Sequence, residues 1–461
     1  MAKQFASGSF HPDLRVDAAL WVTALWDKGL YPFGPPFVYA LDGKRFLSFP
    51  LLFPAATAPF LAAFGEPFGL LVIPVLSVIA SLLLGRRLLV RAGVGPGISA
   101  LTLAALVFAT PLTLYAAMYW EHAPAVALSI AGIALGSATR GRALASGVAF
   151  GLAGWLRPEC FVFGISLLAV EAIARRPWLL PGIGLAGIII LNLGANTYLH
   201  KTPLGLHALQ VVGPDPIWRP PFWRLAANLL GLVALFAPHS ILGLAGLATA
   251  RTSSSGGKAA QLAAAAVLTC LLVPFIVPNS GGTQWGPRYL LVPIVVLTLA
   301  GGLAIHTVHE EQPGRPVLQR ALRWVTPALL MLGVVGNMGV GVPDLVEHYA
   351  QRQDTMEQLR ADPRQVIAAS YHYIPLELVP LLGEKAIFTV LDADGFQALA
   401  DGLSRRGVRD FLFLSYSDGQ EGPSRRVSDL GDMVVECMRA GPVGPEWVAW
   451  DCTLTQAGAA R

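Results

Sequence analysis

The sequence predicts an all-α polytopic membrane protein with a small C-terminal α/β domain. The chain has 461 residues, of which 54% are hydrophobic and only 13% are charged, and its mean hydropathy is +0.56. Soluble domains usually carry about 25% charged residues. The net charge of +4 is small, and the basic residues lie in loops between apolar runs. That distribution favours orientation in a membrane over nucleic-acid binding, so we expect no nucleic-acid partner.

Apolar runs follow one another between residues 67 and 342, and about ten membrane spans can be placed there. A straight helical span needs roughly 20 residues, and several of the runs are shorter. The runs 143–157 and 160–173 could be broken helices around a cavity rather than full lipid-facing spans. The predicted spans are 67–85, 98–118, 123–138, 143–157, 160–173, 178–198, 225–249, 259–278, 288–306 and 324–341.

Basic residues occur in alternate connections between these spans, and they predict the orientation. By the positive-inside rule the connections that carry them face the cytoplasm. The basic residues are Arg86, Arg87, Arg91, Arg140, Arg142, Arg175, Arg176, Arg251, Lys258, Arg315, Arg320 and Arg323. The external segments are then 1–66, 119–122, 157–159, 199–224, 279–287 and the region after 342. We expect a multi-pass protein of a bacterial inner membrane, with the active site and C-terminal domain outside the cytoplasm.

The first 66 residues form an acidic external region by this reasoning. Leu14–Trp26 has apolar residues at helical spacing and predicts an amphipathic helix at the membrane interface. The proline-rich stretch Phe46–Phe64 indicates irregular or helical structure resting on the membrane. Met1–Gly8 contains neither a span nor a signal peptide that could carry it outside. Either an upstream helix is missing or the segment is translocated unaided, and we favour the missing helix.

Residues 342–461 have a different pattern, in which short strands alternate with helices. The runs Val366–Ala369, Ala386–Leu391 and Phe411–Ser415 predict strands, and 344–359, 375–382 and 394–405 predict helices. We interpret Asp392–Gly395 as a turn, because the later ligands of a calcium loop are absent. Cys437 and Cys452 could form a disulfide if this region is extracytoplasmic, whereas the apolar surroundings of Cys160 and Cys270 indicate packing residues.

Four external motifs contain residues suited to chemistry. Glu121 is the most unusual, because a carboxylate at membrane depth is costly and usually faces a cavity, a cation or a partner; a carboxylate in a short external turn is the simpler interpretation. Asp13 fits equally an N-cap of the interfacial helix and a catalytic base. The motifs are Ser9-Phe10-His11-Pro12-Asp13, Tyr119-Trp120-Glu121-His122, Trp155-Leu156-Arg157-Pro158-Glu159 and Gln284-Trp285-Gly286-Pro287-Arg288-Tyr289, with His200 and Lys201 in a further external loop.

These residue types suit glycosyl transfer from a membrane-bound donor. A carboxylate accepts the proton of an acceptor hydroxyl, and the Arg guanidinium matches phosphate oxygens. We predict Asp13 as the base and Arg157 and Arg288 as phosphate ligands. Glu121 and His122 would orient the acceptor or hold a divalent cation such as Mg²⁺ or Mn²⁺, or His122 would hydrogen-bond the sugar. An ion pair of Arg157 with Glu159, and an Arg288 side chain that snorkels to the interface, are the structural alternatives.

The motifs His11-Pro12-Asp13, Trp120-Glu121-His122 and Trp155–Glu159 resemble those of a bacterial group in the GT-C superfamily of polytopic glycosyltransferases. The segments Asp42–Phe46 and Trp285–Leu290 are also similar to GT-C proteins, and the resemblance covers roughly residues 8–341. It implies an inverting transferase that uses a polyprenyl-phosphate-linked sugar, with Asp13 in the first external loop and Glu121 in the second acidic motif.

The acceptor implied by this resemblance is a glycan, lipid or protein of the cell envelope, and the acidic residues permit a divalent cation as cofactor without requiring one. Asp13 and Glu121 would be the ligands of any divalent cation. A transporter or flippase of lipid-linked sugars would use the same interfacial charges, but transporters often contain internal repeats, and we find none. A catalytically inactive scaffold is a third alternative.

Overall fold

The computed structural model describes residues 1–136, 139–209, 221–249, 254–280, 285–311, 316–417, 425–430, 433–444 and 446–456. Most of these residues are helical, and the C-terminal region is rich in strands. The chain forms two compact units, and both are assembled from segments distant in sequence. The first contains Met1–Pro12 and Phe49–Pro343, and the second contains Asp13–Ser48 and Asp344–Arg461.

The first unit is built from α-helices joined by short turns. Its α-helices are Ala2–Ala6, Leu52–Phe64, Phe68–Arg91, Pro96–Phe108, Leu112–Ala116, His122–Leu135, Arg140–Leu156, Pro158–Ile173, Leu179–His200, Phe222–Phe236, Ala245–Ala248, Ser254–Leu272, Leu291–His306 and Pro316–Val334. Short 3₁₀ segments are Leu206–Ala208, Pro238–Leu244, Val273–Phe275 and Arg288–Leu290, and π-helical turns are Thr307–Glu311 and Val335–Gly341.

The apolar helices agree with a membrane protein, but their lengths leave the predicted number of about ten spans unconfirmed. Within the described residues, five helices are long and apolar enough to cross a membrane: Phe68–Arg91, Leu179–His200, Ser255–Phe275, Arg288–Glu310 and Gln319–Ala361. The predicted span 225–249 is bent by 104° between Phe222–Phe236 and Pro238–Ala248, and it would be a sixth span if this pair crosses as one.

Helix Leu291–His306 of the first unit is buried along almost its whole length. Two other helices of this unit, Arg140–Leu156 and Leu179–His200, cross closely at glycines. A Cβ added at Gly147 would lie 1.9 Å from the Pro181 carbonyl oxygen, and one at Gly184 would lie 2.4 Å from that of Leu144. Only glycine permits this approach of helices Arg140–Leu156 and Leu179–His200. Small residues at such crossings are typical of helix packing in membranes.

The second unit contains a six-stranded sheet. Its strands are β3 Val366–Ala369, β4 Ala386–Thr389, β5 Asp410–Tyr416, β6 Arg425–Leu430, β7 Met433–Val443 and β8 Trp447–Gln456, in the order β4-β3-β5-β8-β7-β6. The three runs predicted as strands form β3, β4 and β5, and β3 pairs in parallel with both β4 and β5. The antiparallel strands β6, β7 and β8 are not among the sequence predictions.

Helices Val342–Ala361, Tyr373–Glu377 and Ala393–Ser404 and the 3₁₀ turn Val379–Leu381 complete the C-terminal part of this unit. Asp392 is the N-cap of Ala393–Ser404, and its carboxylate accepts a hydrogen bond from the backbone N–H of Gly395 at 2.7 Å. The motif interpreted as a turn is therefore the N-terminus of this helix. Cys437 and Cys452, which are paired across β7 and β8, form a disulfide.

Residues 13–48 pack against the C-terminal sheet, which the predicted division of the chain at residue 66 does not anticipate. They contain helix Leu20–Leu25, the π-helical turn Trp26–Leu30 and the hairpin β1 Val38–Leu41 with β2 Lys44–Leu47. The Trp26 indole N–H donates to the Ile387 carbonyl at 3.0 Å, and the Thr389 hydroxyl donates to the Pro32 carbonyl at 2.8 Å.

The predicted interfacial helix Leu14–Trp26 is wrong in its start and in its partner. The helix begins at Leu20 with Ala19 as its N-cap, so Asp13 does not cap it. Val22, Leu25 and Trp26 are buried in one apolar cluster with Phe388 and Leu399 of the C-terminal domain. Of the residues whose spacing indicated a lipid surface, Leu25 is buried in this cluster and Leu14 and Trp21 pack against it, whereas Ala18 is exposed. The stretch Phe46–Phe64 contains the helix Leu52–Phe64 in the first unit.

Candidate active site

Arg157 is the centre of a buried charged cluster in the first unit. It lies in extended conformation (φ −141°, ψ 113°) between helices Arg140–Leu156 and Pro158–Ile173, where Pro158 prevents a continuous helix. Its Nε donates to Glu159 Oε1 at 2.8 Å, and its Nη1 donates to Glu121 Oε1 at 3.0 Å. All three side chains are buried, so the two ion pairs compensate charges that would be costly alone.

Glu121 reaches Arg157 because of the turn that precedes helix His122–Leu135. It occupies the N-cap position, but its side chain makes no capping hydrogen bond. The carboxylate instead joins two segments 36 residues apart in the sequence. Glu159 lies in the first turn of the helix that follows Arg157, where a negative charge is favourable. The structure thus pairs Glu121 with Arg157, and its predicted role in orienting the acceptor or a cation stays a prediction.

His122 lies between two aromatic rings beside this cluster. Its ring centroid is 4.9 Å from that of Tyr115 and 5.0 Å from that of Trp120, and both pairs are stacked. Within the described residues, both ring nitrogens of His122 are buried without a hydrogen-bond partner, and so is Nη2 of Arg157. Buried polar groups are normally hydrogen-bonded, and exceptions point to a water, an ion or a ligand.

Arg288 belongs to the same cluster through aromatic contacts. It opens the 3₁₀ turn Arg288–Leu290, and its guanidinium carbon lies 4.8 Å from the Tyr289 ring centroid and 5.7 Å from that of Trp120. Its Nη2 donates to the Tyr289 hydroxyl at 2.9 Å. The Arg157 guanidinium carbon is 5.5 Å from the same Tyr289 ring. Tyr289 therefore joins the two arginines.

The backbone of Trp285 fixes another edge of the cluster. Its carbonyl accepts a hydrogen bond from the Tyr115 hydroxyl at 3.0 Å, and its indole packs on Phe236 at 4.9 Å between ring centroids. The indole N–H donates to Asn337 Oδ1 at 3.4 Å. Gln284, the first residue of the predicted motif, lies outside the described residues.

His207 is a further member that the sequence indicated only weakly, as one polar residue of an external loop. It lies in the 3₁₀ turn Leu206–Ala208. Burial, and then the positive charges of Arg157 and Arg288, lower the pKa of His207 to about 3. The imidazole is therefore neutral at physiological pH. Sequence spacing could not place His207 near the cluster, since 50 residues separate it from Arg157.

The structure gives His200 and Lys201 a different setting. They lie at the end of helix Leu179–His200, where Lys201 is the C-cap in left-handed conformation (φ +59°). The Lys201 side chain is exposed. Among the described residues, no hydrogen bond or ion pair joins Lys201 to Arg157, Glu121 or Glu159.

Asp13 belongs to the second unit. Its carboxylate accepts a hydrogen bond from Arg15 Nε at 3.0 Å. Burial opposes ionisation of this carboxyl, but the hydrogen bond from Arg15 and the charges of Arg15 and Lys44 outweigh it and lower the pKa of Asp13 below its ordinary value. Asp13 is therefore an ionised carboxylate at neutral pH.

The residues expected to hold a divalent cation do not fit one. Glu121 is engaged by Arg157, and Asp13 is engaged by Arg15. Within the described part of the chain, no group of three or more His, Cys, Asp or Glu side chains is arranged to hold a metal ion. A guanidinium on the carboxylate competes with a cation for the same oxygens. We therefore assign no chemical step to a metal.

Two solved structures resemble the whole chain. They are crystal structures of ArnT from Cupriavidus metallidurans, one bound to undecaprenyl phosphate and one in the apo state. The TM-scores are 0.53 and 0.52, the identities 12% and 13%, and each alignment covers 98% of this chain and 96% of ArnT. No protein-family model and no curated protein sequence matches the chain. At this identity the likeness establishes the fold alone.

Proposed function

We propose that this protein is a membrane glycosyltransferase of GT-C type that moves a sugar from a polyprenyl-phosphate-linked donor to an acceptor outside the cytoplasm. The observation that carries the proposal is the buried cluster around Arg157, in which one guanidinium nitrogen and both ring nitrogens of His122 have no hydrogen-bond partner among the described residues. A fold shared with ArnT, which was crystallised with undecaprenyl phosphate, supports a lipid phosphate as the ligand.

The phosphate of the donor would bind at Arg157 and Arg288. Two carboxylates already neutralise Arg157, so its contribution is a directed hydrogen bond from Nη2 rather than net positive charge. Arg288 is the second cation of the cluster, and two aromatic rings hold its guanidinium in one orientation. A guanidinium held in this way is prepared to receive the charge that develops on the leaving phosphate.

The transfer itself would be a single displacement with inversion. The acceptor hydroxyl oxygen forms a bond to the anomeric carbon while the bond from that carbon to the phosphate oxygen breaks. The electron pair of the broken bond leaves on the phosphate, and the hydroxyl proton passes to the carboxylate of Asp13. His122 would hydrogen-bond the sugar through its buried ring nitrogens, and Glu121 would hold Arg157 in place.

Sugar transfer by the purified protein in detergent tests this proposal. We expect a polyprenyl-phosphate-linked sugar to be consumed and a new glycosidic product to appear together with free polyprenyl phosphate. A flippase, the main alternative, needs two leaflets and forms no new bond. Transport of the lipid-linked sugar across vesicles, without any product in detergent, would replace the transferase proposal with a flippase.

Glu121→Gln is expected to impair transfer more than Glu159→Gln. Glu159 is two residues from Arg157, and its pair with Arg157 is local. Glu121 instead connects Arg157 to the turn that carries Trp120 and His122. Its loss therefore removes the contact that holds these two segments together. Initial rates at saturating donor, normalised to folded protein, give the comparison. A larger loss for Glu159→Gln would contradict the arrangement proposed for this site.

Arg288→Gln is expected to lower transfer by about 100-fold, the usual order for the loss of one preorganised donor to a developing anion. Kinetics over a range of donor concentrations would distinguish weaker binding of the donor, seen as a higher KM, from slower sugar transfer, seen as a lower kcat. Arg224→Gln is the matched control, because Arg224 also packs on a tryptophan, Trp223, at 5.3 Å, but on an exposed helix end. Equal effects of the two substitutions would remove Arg288 from the site.

A further inference from the structure

A charged cavity lies at the opposite end of helix Arg140–Leu156 from Arg157. Its volume is about 390 Å³, within the range of small-molecule binding sites. The residues that define its character are Thr139, Arg140, Arg176, Trp178, Leu179 and Leu180. The helix between the two sites has 17 residues, so they are separated by about 25 Å. The cavity is therefore distinct from the candidate active site.

Two basic side chains, Arg140 and Arg176, line this cavity. Arg140 is exposed and, within the described residues, forms no ion pair. Arg176 is anchored by a hydrogen bond from its Nη1 to Gln261 Oε1 at 2.9 Å, and Gln261 in turn donates to Glu171 at 2.7 Å. The acidic group nearest in this network is thus already bound by an amide, and the cavity has an excess of positive charge.

Other arginines at this end of the helices have structural partners. Arg91 donates to the Ala134 carbonyl at 2.9 Å, and Arg142 donates to the Leu135 carbonyl at 2.7 Å. They satisfy the last carbonyls of helix His122–Leu135. Arg140 and Arg176 are not used in this way, and both line the cavity.

Apolar side chains at the start of a candidate membrane span also line the cavity. Trp178 precedes helix Leu179–His200 and is 45% exposed. Leu179 and Ile183 on the same helix are also exposed. A tryptophan at the end of an apolar helix is typical of the boundary between headgroups and acyl chains. The cavity therefore combines basic side chains with apolar ones at the end of a candidate membrane span.

We propose that this cavity binds the headgroup phosphate of an anionic phospholipid. Arg140 and Arg176 would contact the phosphate oxygens, and the acyl chains would lie along Trp178, Leu179 and Ile183. The N-termini of helices Arg140–Leu156 and Leu179–His200 both meet at the cavity, and their dipoles add to the attraction. Basic pockets between membrane helices bind anionic headgroups in the same way. The positive-inside rule predicts the cytoplasmic leaflet as the source of this lipid.

Native mass spectrometry of the full chain in neutral detergent tests the proposal, with dioleoyl phosphatidylglycerol as the probe and dioleoyl phosphatidylcholine as the uncharged comparison. We expect tighter retention of phosphatidylglycerol and a loss of about 25-fold in its affinity for Arg140→Gln/Arg176→Gln, since each basic residue near a membrane surface contributes on the order of fivefold. Arg320→Gln/Arg323→Gln removes the same charge from an exposed helix face and should leave the affinity close to that of the unsubstituted chain.

The single variant Arg140→Gln controls for misfolding. Arg176 is hydrogen-bonded to Gln261, whereas Arg140 is not, so the loss of Arg140 breaks no such contact. A second measurement locates the lipid: brominated phosphatidylglycerol should quench the fluorescence of the chain less after Trp178→Phe, and this difference should vanish in Arg140→Gln. Equal losses in the Arg320/Arg323 control, or equal retention of phosphatidylcholine, would overturn the proposal. Complete displacement of the lipid by millimolar inorganic phosphate would show a site for free phosphate instead of a lipid.

Discussion

Asp13→Asn is expected to reduce sugar transfer by at least about 100-fold, because a positioned general base contributes between 10² and 10⁴ to the rate. The amide that replaces the carboxylate has a similar size but cannot accept the acceptor proton. Since the pKa of Asp13 lies below its ordinary value, the carboxylate stays ionised as the pH falls from 7 to 5. We therefore expect no loss of rate from protonation of Asp13 in that interval. The pH–rate profiles of the unsubstituted chain and of Asp13→Asn, each normalised to its own maximum, should have the same shape between pH 7 and 5.

Asp17→Asn is the matched control for this experiment. Asp17 is an exposed carboxylate four residues further along the same segment of the second unit, so its substitution changes the charge equally. We expect this variant to retain its activity, and both variants to retain the same amount of folded protein by size-exclusion chromatography. Full activity of Asp13→Asn would show that Asp13 is not the base. Its role would then be limited to the ion pair with Arg15.

The helices of the first unit could be predicted because their signal is local. Apolar runs and the turns between them are written in consecutive residues, and the predicted runs 143–157 and 160–173 correspond to helices that end and begin at Arg157. The meeting of Glu121, Arg157 and Arg288 followed from the expected side of the membrane. The residue that each of these groups contacts could not be predicted from the sequence, because contacts across 36 or more residues depend on how the helices pack.

The position of Asp13 could not be predicted for a related reason. Leu14–Trp26 has the same apolar periodicity whether the helix faces lipid or protein. Its actual partner is a strand more than 300 residues later, as the hydrogen bond from Trp26 to Ile387 illustrates. Strands β6, β7 and β8 are not predicted, because they contain many polar residues and their apolar residues do not alternate regularly with polar ones. Their pairing with one another and with β5 gives them a stability that propensity alone does not.

Arg157→Met is expected to destabilise the first unit by about 3–5 kcal/mol, the usual cost of removing one partner from a buried ion pair. Methionine fills much of the same volume, but it leaves the carboxylates of Glu121 and Glu159 buried without their cation. Thermal inactivation of the monodisperse fraction, followed by fluorescence-detected size-exclusion chromatography in detergent, measures this loss. The same variant should also be inactive.

The triple variant Glu121→Gln/Arg157→Met/Glu159→Gln separates the structural role of Arg157 from its proposed role at the phosphate. Replacing all the charges of a buried network by neutral groups is often neutral for stability or even stabilising. We therefore expect the triple variant to recover most of the thermal stability lost in Arg157→Met. We expect no recovery of sugar transfer, because Nη2 of Arg157 is still missing. Recovery of stability and activity together would mean that Arg157 only balances the two carboxylates, and the donor phosphate would then have to be bound elsewhere.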